Sequence, residues 1–489
     1  MTTMRSEIPI PSGGRRARLP PAIVTSAGLL LTLTGAAAAG GPCSEPGSRL
    51  DVAPSYVLQA DRPGAFLGSN VSAAGDVDGD GLADLLVAAP SFENGEESEG
   101  AIFLFLGTEA RGRVAPSWVL EGGRPGAFLL WASAAGDVNG DGFDDVIVGD
   151  PFWSVGLEER GRAMLFPGSP DGPALEPAWT IEGDRARRHL GGRVGGAGDV
   201  NRDGLADVVV SGSGVVLVFL GSSAGLATAP AWSVQGELPS DSGRGPAFLD
   251  VNGDGFDDLL VAVFGDAFSQ VVSLYRGYPL GLRPRSHADL RLPAEGGNFG
   301  IAFDPTQDVD GDGAPEIVVG LIGRLDVPHG SPCCPPEPVL LFEAGGRGLR
   351  EPGSLIHQTR FHGDLVALGI GGAGDVNGDG FGDLMVAEHA VDPNAGGIPP
   401  IRVLLFAGSA GGVATAPAAV LRGDQPLDGF GEAAAAAGDF DGDGCDDVVV
   451  GAPRHDGAQV DEGAAFVFRG GAFAGPAPGS GARGRASRR

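Results

Sequence analysis

The chain has 489 residues, room for several ordinary domains or one large repeat array, and its 86 glycines with no long 3.6-residue periodicity favour an all-β, turn-rich architecture over a helical one. A formal charge of −30 argues against nucleic acid or an anionic membrane as the main partner. The carboxylates sit in discrete clusters between apolar runs, which points to ordered metal sites rather than disorder.

Residues 1–39 read as an export signal. Arg15, Arg16 and Arg18 precede the apolar run AIVTSAGLLLTLTGAAAA (22–39), which ends in small residues suited to cleavage. Thr, Ser and Gly interrupt that run and disfavour a membrane anchor. The mature chain is therefore expected to be secreted or held at the cell surface, without stable membrane insertion. Residues 40–50 read as a linker. Cys43, Cys333, Cys334 and Cys445 are not spaced as a zinc framework, and the adjacent Cys333 and Cys334 fit either a vicinal disulfide or two thiols.

From residue 51 the chain repeats itself. PSYVLQADRPGAFLG (54–68) returns as PSWVLEGGRPGAFLL (116–130). An acidic stretch occurs seven times: DVDGDGLAD (76–84), DVNGDGFDD (137–145), DVNRDGLAD (199–207), DVNGDGFDD (250–258), DVDGDGAPE (308–316), DVNGDGFGD (375–383) and DFDGDGCDD (439–447), with starts 61, 62, 51, 58, 67 and 64 residues apart. Each copy begins as an EF-hand loop would, but an EF-hand needs a bidentate Glu at position 12 and helices on both sides. Position 12 is Val87, Val148, Val210, Val261, Val319, Val386 and Val450, each inside a β-branched or Leu-rich run that reads as a buried strand. The EF-hand reading fails on both counts.

A nine-residue loop remains, in which positions 1, 3, 5 and 9 offer side-chain oxygens, position 6 is a turn glycine and position 7 offers a carbonyl. About six hard oxygens suit Ca²⁺ better than softer metals. The candidate ligands are Asp76, Asp78, Asp80, Leu82 and Asp84 in loop 1, and Asp137, Asn139, Asp141, Phe143 and Asp145 in loop 2. Loop 3 offers Asp199, Asn201, Asp203, Leu205 and Asp207, and loop 4 Asp250, Asn252, Asp254, Phe256 and Asp258. Loop 5 offers Asp308, Asp310, Asp312, Ala314 and Glu316, and loop 6 Asp375, Asn377, Asp379, Phe381 and Asp383. Loop 7 offers Asp439, Asp441, Asp443, Cys445 and Asp447. Acidic turns without ions would set three or four carboxylates against one another. Up to seven Ca²⁺ are expected.

Each repeat reads as four short strands. The first is small and apolar (SAAG 72–75, GGAG 195–198, AAAAAG 433–438), and the second is the Val/Leu run after the loop. The third is AIFLFLG (101–107) or a sibling, and the fourth is PSWVLEG (116–122), PAWTIEG (177–183) or PAWSVQG (230–236). This is the size of one propeller blade, with small inner strands crowding the axis. The chain opens on a fourth-strand sequence, PSYVLQA (54–60), and its last repeat ends on a third strand, AAFVFRG (464–470), so the first strand is expected to complete the last blade. The expected fold is an all-β, seven-bladed β-propeller of four-stranded antiparallel blades over residues 51–471, with calcium loops between strands 1 and 2. Residues 472–489 lack an apolar anchor and are expected to be disordered.

Phe430-Gly431 and Gly451-Ala452-Pro453 bracket the last loop, and Phe299-Gly300 and Ala89-Pro90 are partial copies. With these motifs the chain resembles the FG-GAP repeat of the integrin α-chain propeller and its bacterial secreted relatives. The resemblance implies a seven-bladed propeller with Ca²⁺ in the strand 1–2 loops. Integrin α-chains fill only some blades, whereas all seven loops here carry the ligand set. Departures are Arg202 for Gly at position 4 of loop 3, Glu316 for Asp in loop 5, and no Phe-Gly in blade 4.

No catalytic constellation stands out, and the chain is read as a non-enzyme. GSSAG (221–225) looks like a nucleophile elbow but recurs as a turn, GSPDG (168–172) and GSAGG (408–412), with no helix following. Arg422-Gly423-Asp424 falls in a repeat slot filled elsewhere by VLQAD and TIEGD. Length variation concentrates in the strand 2–3 loops, at 91–100, 151–160, 324–338 and 388–400, on the face opposite the acidic loops. Trp131, Phe152 and Trp153 belong to that face and form a candidate contact site for a glycan or protein ligand, against a competing reading as local packing. The expected function is a secreted, calcium-binding scaffold for binding or adhesion to an extracellular glycan or protein. The alternative is a calcium-dependent polysaccharide-active enzyme, a lyase or hydrolase, on the same fold.

Overall fold

A run such as DLLVAA has no polar side to turn to water, and it folds where sheets cover both of its faces. Asp84–Ala89, Asp145–Asp150 and Asp447–Ala452 are buried at every residue. The computed structural model describes residues 50, 52–235, 245–264, 270–286, 288–291, 300–305, 307–322, 337–343, 353–359, 369–389, 401–425 and 427–473. Residues 1–39, which the sequence suggests as an export signal, residues 40–49 with Cys43, and Cys333, Cys334, Phe299, the stretches 324–336 and 390–400, and the tail from 474 lie outside the described residues.

Seven antiparallel blades follow one another. Blade 1 is Asn70–Gly75, Asp84–Ala89, Ala101–Phe105 and Trp118–Glu121; blade 2 is Trp131–Gly136, Asp145–Asp150, Arg162–Phe166 and Trp179–Glu182. Blade 3 is Arg193–Gly198, Asp207–Gly212, Val215–Phe219 and Trp232–Gln235; blade 4 is Ala247–Leu249, Asp258–Phe264, Gln270–Tyr275 and Ala288–Arg291. Blade 5 is Gly300–Pro305, Ile317–Ile322, Glu337–Phe342 and Ser354–Thr359; blade 6 is Ile370–Gly374, Asp383–His389, Ile401–Phe406 and Ala419–Arg422. Blade 7 takes Ala434–Gly438, Asp447–Ala452 and Ala464–Phe468 from the end of the chain and Tyr56–Leu58 from its beginning. Tyr56 pairs with Val467 and Leu58 with Ala465, antiparallel, so the expected ring closure is present.

Packing follows the ring. Seven apolar clusters each bridge two consecutive blades, the seventh joining Tyr56, Leu58, Val449 and Val467 of blade 7 to Leu85, Val87 and Phe103 of blade 1. Burial of each such Val, Leu or Phe contributes about 1.5–3 kcal/mol. Trp118, Trp179 and Trp232 occupy the same fourth-strand slot. Each meets the aromatic ring at the end of the next blade's third strand (Phe166, Phe219 and Tyr275, with centroids 5.3, 4.8 and 4.8 Å away). Inner strands lie so close that a Cβ on Gly196 would stand 2.5 Å from Ala135 Cα, which is why these strands are built of Gly, Ala and Ser.

Three features depart from the expectation. Gly112–Val114 adds a fifth strand to the blade 7 sheet, parallel to Tyr56–Leu58. Blade 4 carries an extra two-stranded hairpin, Gly277–Tyr278 with Gly281–Leu282. Leu50 and Phe473, just outside the expected 51–471 span, pack into the blade 6–7 cluster, and Leu50 N donates to Ala472 O at 3.2 Å.

Candidate metal centres

The first strand reaches its acidic loop through a β-bulge. Register shifts between Ala73 and Gly75, and likewise before the loops of blades 2, 3, 6 and 7. The extra residue turns the chain sharply and aims the following side chains inward. The position-1 carboxylate then caps the turn: Asp76 accepts from the N–H groups of Asp80 and Gly81, both at 3.0 Å. The same cap recurs at Asp137, Asp199, Asp250, Asp308, Asp375 and Asp439.

Position 9 closes the loop from the start of strand 2. Asp84, Asp145, Asp207, Asp258, Asp383 and Asp447 are fully buried, and Glu316 nearly so. Asp84 Oδ2 accepts from Val77 N–H and Oδ1 from Gly107 N–H, both at 2.8 Å, tying the loop to the turn after strand 3. Asp145, Asp207, Asp383 and Asp447 make both bonds as well. Loop 4 differs: Asp258 receives Gly277 N–H and the Asn252 side-chain amide. Burial, opposed by these backbone bonds and reinforced by the neighbouring carboxylates, pushes Asp84, Asp207 and Asp383 up to about 7 and Asp447 to about 8. The same causes push Glu316 up to about 7. Asp145 and Asp258 rise to about 6, the latter restrained by Asn252 and Arg276. Such groups are in want of a positive charge.

The loops are also joined to one another. The position-8 N–H of each loop donates to the position-1 carbonyl of the preceding blade's loop: Asp144 to Asp76, Ala206 to Asp137, Asp257 to Asp199, Gly382 to Asp308, Asp446 to Asp375 and Ala83 to Asp439, at 2.8–3.2 Å. Loop 5 has Pro315 at position 8 and therefore no donor for this link. Where position 8 is Asp, its carboxylate makes a second link, as Asp144, Asp257 and Asp446 accept from the N–H groups of Asp76, Asp199 and Asp375. Position-7 side chains pack against the neighbouring loop, and a Cβ on Gly79 (φ +74°) would meet Phe143 at 2.6 Å.

The donor set fits a hard divalent cation. Oxygens of Asp76, Asp78 and Asp84, of Asp439, Asp441 and Asp447, and of Asp308, Asp310, Asp312 and Glu316 each gather within 4.8 Å of one another. Loops 2, 3, 4 and 6, with Asn at position 3, place one carboxylate fewer. In loop 7, Asp441 Oδ1 is buried without a hydrogen-bond partner, a lone pair left for an ion.

On the opposite face the three aromatic candidates separate. Trp153 has Arg162 over its ring at 3.5 Å and Arg124 at 5.5 Å, and its Nε1 donates to Glu182 at 3.0 Å. Trp131 is covered by Arg193 at 3.5 Å. Phe152 is 38% exposed and meets Phe128 and His189 edge-on, at 6.5 and 5.8 Å. The position-8 carboxylates and Phe128 escape a reading of single repeats. Aligning position 8 across the seven copies, where Asp alternates with small residues or Pro, is the signal that finds the former.

The FG-GAP-like repeat family matches residues 73–148 and 199–261, and the FG-GAP repeat matches 430–468. Integrin alpha-IIb of Mus musculus is 34% identical over 178 residues, 33% of this chain and 17% of its own length. Integrin alpha-3 of Cricetulus griseus is 30% identical over 224 residues, 43% of this chain and 21% of its own. The chain thus spans about a fifth of the length of these relatives. A crystal structure of mutant AofleA from Arthrobotrys oligospora covers 74% of this chain and 88% of its own at 11% identity and a TM-score of 0.40, too distant to carry an argument.

Proposed function

From the premise that this chain is an FG-GAP repeat protein with an integrin-like β-propeller, we propose that it is a secreted or surface-held calcium-binding scaffold that binds or adheres to an extracellular glycan or protein. The observation that carries the metal reading is the repetition of a buried position-9 carboxylate beside two or three further ligand carboxylates in every blade. In this reading Ca²⁺ takes the oxygens at positions 1, 3, 5 and 9 and the position-7 carbonyl, and supplies the charge that lets the buried carboxylates ionise. The chain's own contribution is to hold those oxygens in place by backbone bonds and to carry the order of each loop to the next blade. No helix among the described residues is long and apolar enough to cross a membrane.

Ligand contact is proposed on the face opposite the loops, centred on Phe152. Trp131 and Trp153 border that surface, each with an arginine over its ring. The integrin relatives lend no support to the polysaccharide-active alternative. Probing an array of glycans and matrix proteins with the full chain, with calcium or with EDTA, tests the reading. Calcium-dependent binding that Phe152→Ala weakens at an unchanged melting temperature supports it. New reducing or unsaturated ends on a polysaccharide panel would replace it with the enzyme.

A further inference from the structure

Loop 7 has a cation paired to its own carboxylates. Arg469 leaves strand 3 of blade 7 in the slot filled by Leu106, Pro167, Leu220, Glu343 and Ala407 in blades 1, 2, 3, 5 and 6, and by Arg276 in blade 4. Its guanidinium is ion-paired with Asp441 and lies 2.7 Å from Asp443 Oδ2, and the two carboxylates are 3% and 9% exposed. These are positions 3 and 5 of the loop. Two further ties meet there. Tyr56, in the strand that closes the ring, donates its hydroxyl to Asp441 Oδ2 at 3.2 Å, and Cys445 at position 7 is disulfide-bonded. Loop 1 has the same four carboxylates and Leu106 in place of the arginine.

We propose that Arg469 is a built-in counter-cation that holds loop 7 closed without metal, so that loop 7 takes up calcium more weakly than loop 1 and the seam of the ring stays shut when calcium is withdrawn. The inference rests on the calcium reading of the loops. Asp441 Oδ1 still offers a lone pair, so arginine and ion compete for the loop and neither excludes the other. Cation repulsion inside a half-buried acidic turn is large enough to decide the ranking. One unit charge near a divalent ion at ion-pair distance changes affinity by about tenfold or more at the effective dielectric of a protein surface.

The test uses the full chain under non-reducing conditions. Calcium binding is followed by calorimetry, and loop 7 is singled out by terbium luminescence excited through Tyr56, with Tyr56→Phe identifying that signal by its loss. In Arg469→Leu the Tyr56-excited site is expected to tighten about tenfold, and the melting temperature in EDTA to fall further below its calcium value than in the unsubstituted chain. The reciprocal Leu106→Arg is expected to weaken one tight calcium site by a similar factor, and it decides the matter if Arg469→Leu does not fold. Unchanged or weaker terbium binding in folded Arg469→Leu, or unaltered calcium affinities in Leu106→Arg, overturns the inference while leaving the calcium reading intact. No calcium bound by the unsubstituted chain overturns both.

Discussion

The position-9 carboxylates are buried, and what balances their charge sets how the fold answers to pH. Asp84 and Asp447 are raised from an ordinary 3.8 to about 7 and about 8. A folded-state value above the unfolded one means that the metal-free fold holds protons more tightly than the unfolded chain. That stability is fully present below the unfolded value and is lost as pH rises through the folded values. In EDTA the melting temperature is therefore expected to fall between about pH 5 and about pH 8. In excess calcium, which needs the ionised carboxylate, the fall should vanish. A melting temperature that rises over that range in EDTA contradicts this account.

Arg202 shows strain at the same scale. It holds φ +58° where the other six loops have Gly, and its guanidinium donates to Asp254 O at 3.1 Å and lies 5.9 Å from the Phe256 ring centre. Left-handed backbone at a residue with a Cβ costs about 1–2 kcal/mol, so Arg202→Gly is expected to stabilise the protein by about 0.5–1 kcal/mol after losing that exposed bond. Denaturant melts measure it. Arg202 was visible in the sequence as a departure, because a broken turn glycine is a local signal. Arg469 was not, because its partners Asp441 and Asp443 lie more than 20 residues away and only the fold brings them together.

Among the elements, the fourth strand carries the clearest sequence signature and the clearest consequence. Trp179 packs on Phe219 of the next blade and donates its Nε1 to Ala227 O at 2.9 Å, so it ties two blades rather than one. Trp179→Ala is expected to destabilise the fold by about 3–5 kcal/mol in urea unfolding. A loss below about 1 kcal/mol would show that the slot is not a packing anchor. The recurring PSW and PAW motifs made this role legible, as the continuous β-branched and Leu-rich runs did for strand 2. The parallel strand Gly112–Val114 and the blade 4 hairpin were not legible, since neither repeats and the former is fixed by pairing with residues far earlier in the chain.

At the scale of the molecule, a closed ring is only as uniform as its links. Six of the seven junctions carry the position-8 backbone bond, and Pro315 removes the donor from the one between blades 4 and 5. Opening should start there. In native-state hydrogen exchange, the amides of Ile317–Ile322 are expected to exchange faster than those of Asp84–Ala89. Equal protection would mean that the bonds between loops do not govern opening. Blade count and closure were readable because both are properties of the repeat: seven loops, and a fourth-strand motif displaced to the start. The links between loops depend on which position faces which neighbour, and only the assembled ring shows that.

In the calcium reading, the acidic loops hold the ion and the ion holds the blades together. Bound metal is counted by elemental analysis on the purified full chain, and the same sample is melted in EDTA and after calcium is restored. Several calcium ions per chain are expected, with a large fall in melting temperature in EDTA that calcium reverses, because the ion would bind the folded state in preference to the unfolded one. A metal-free chain whose melt is the same in EDTA and in calcium would contradict it.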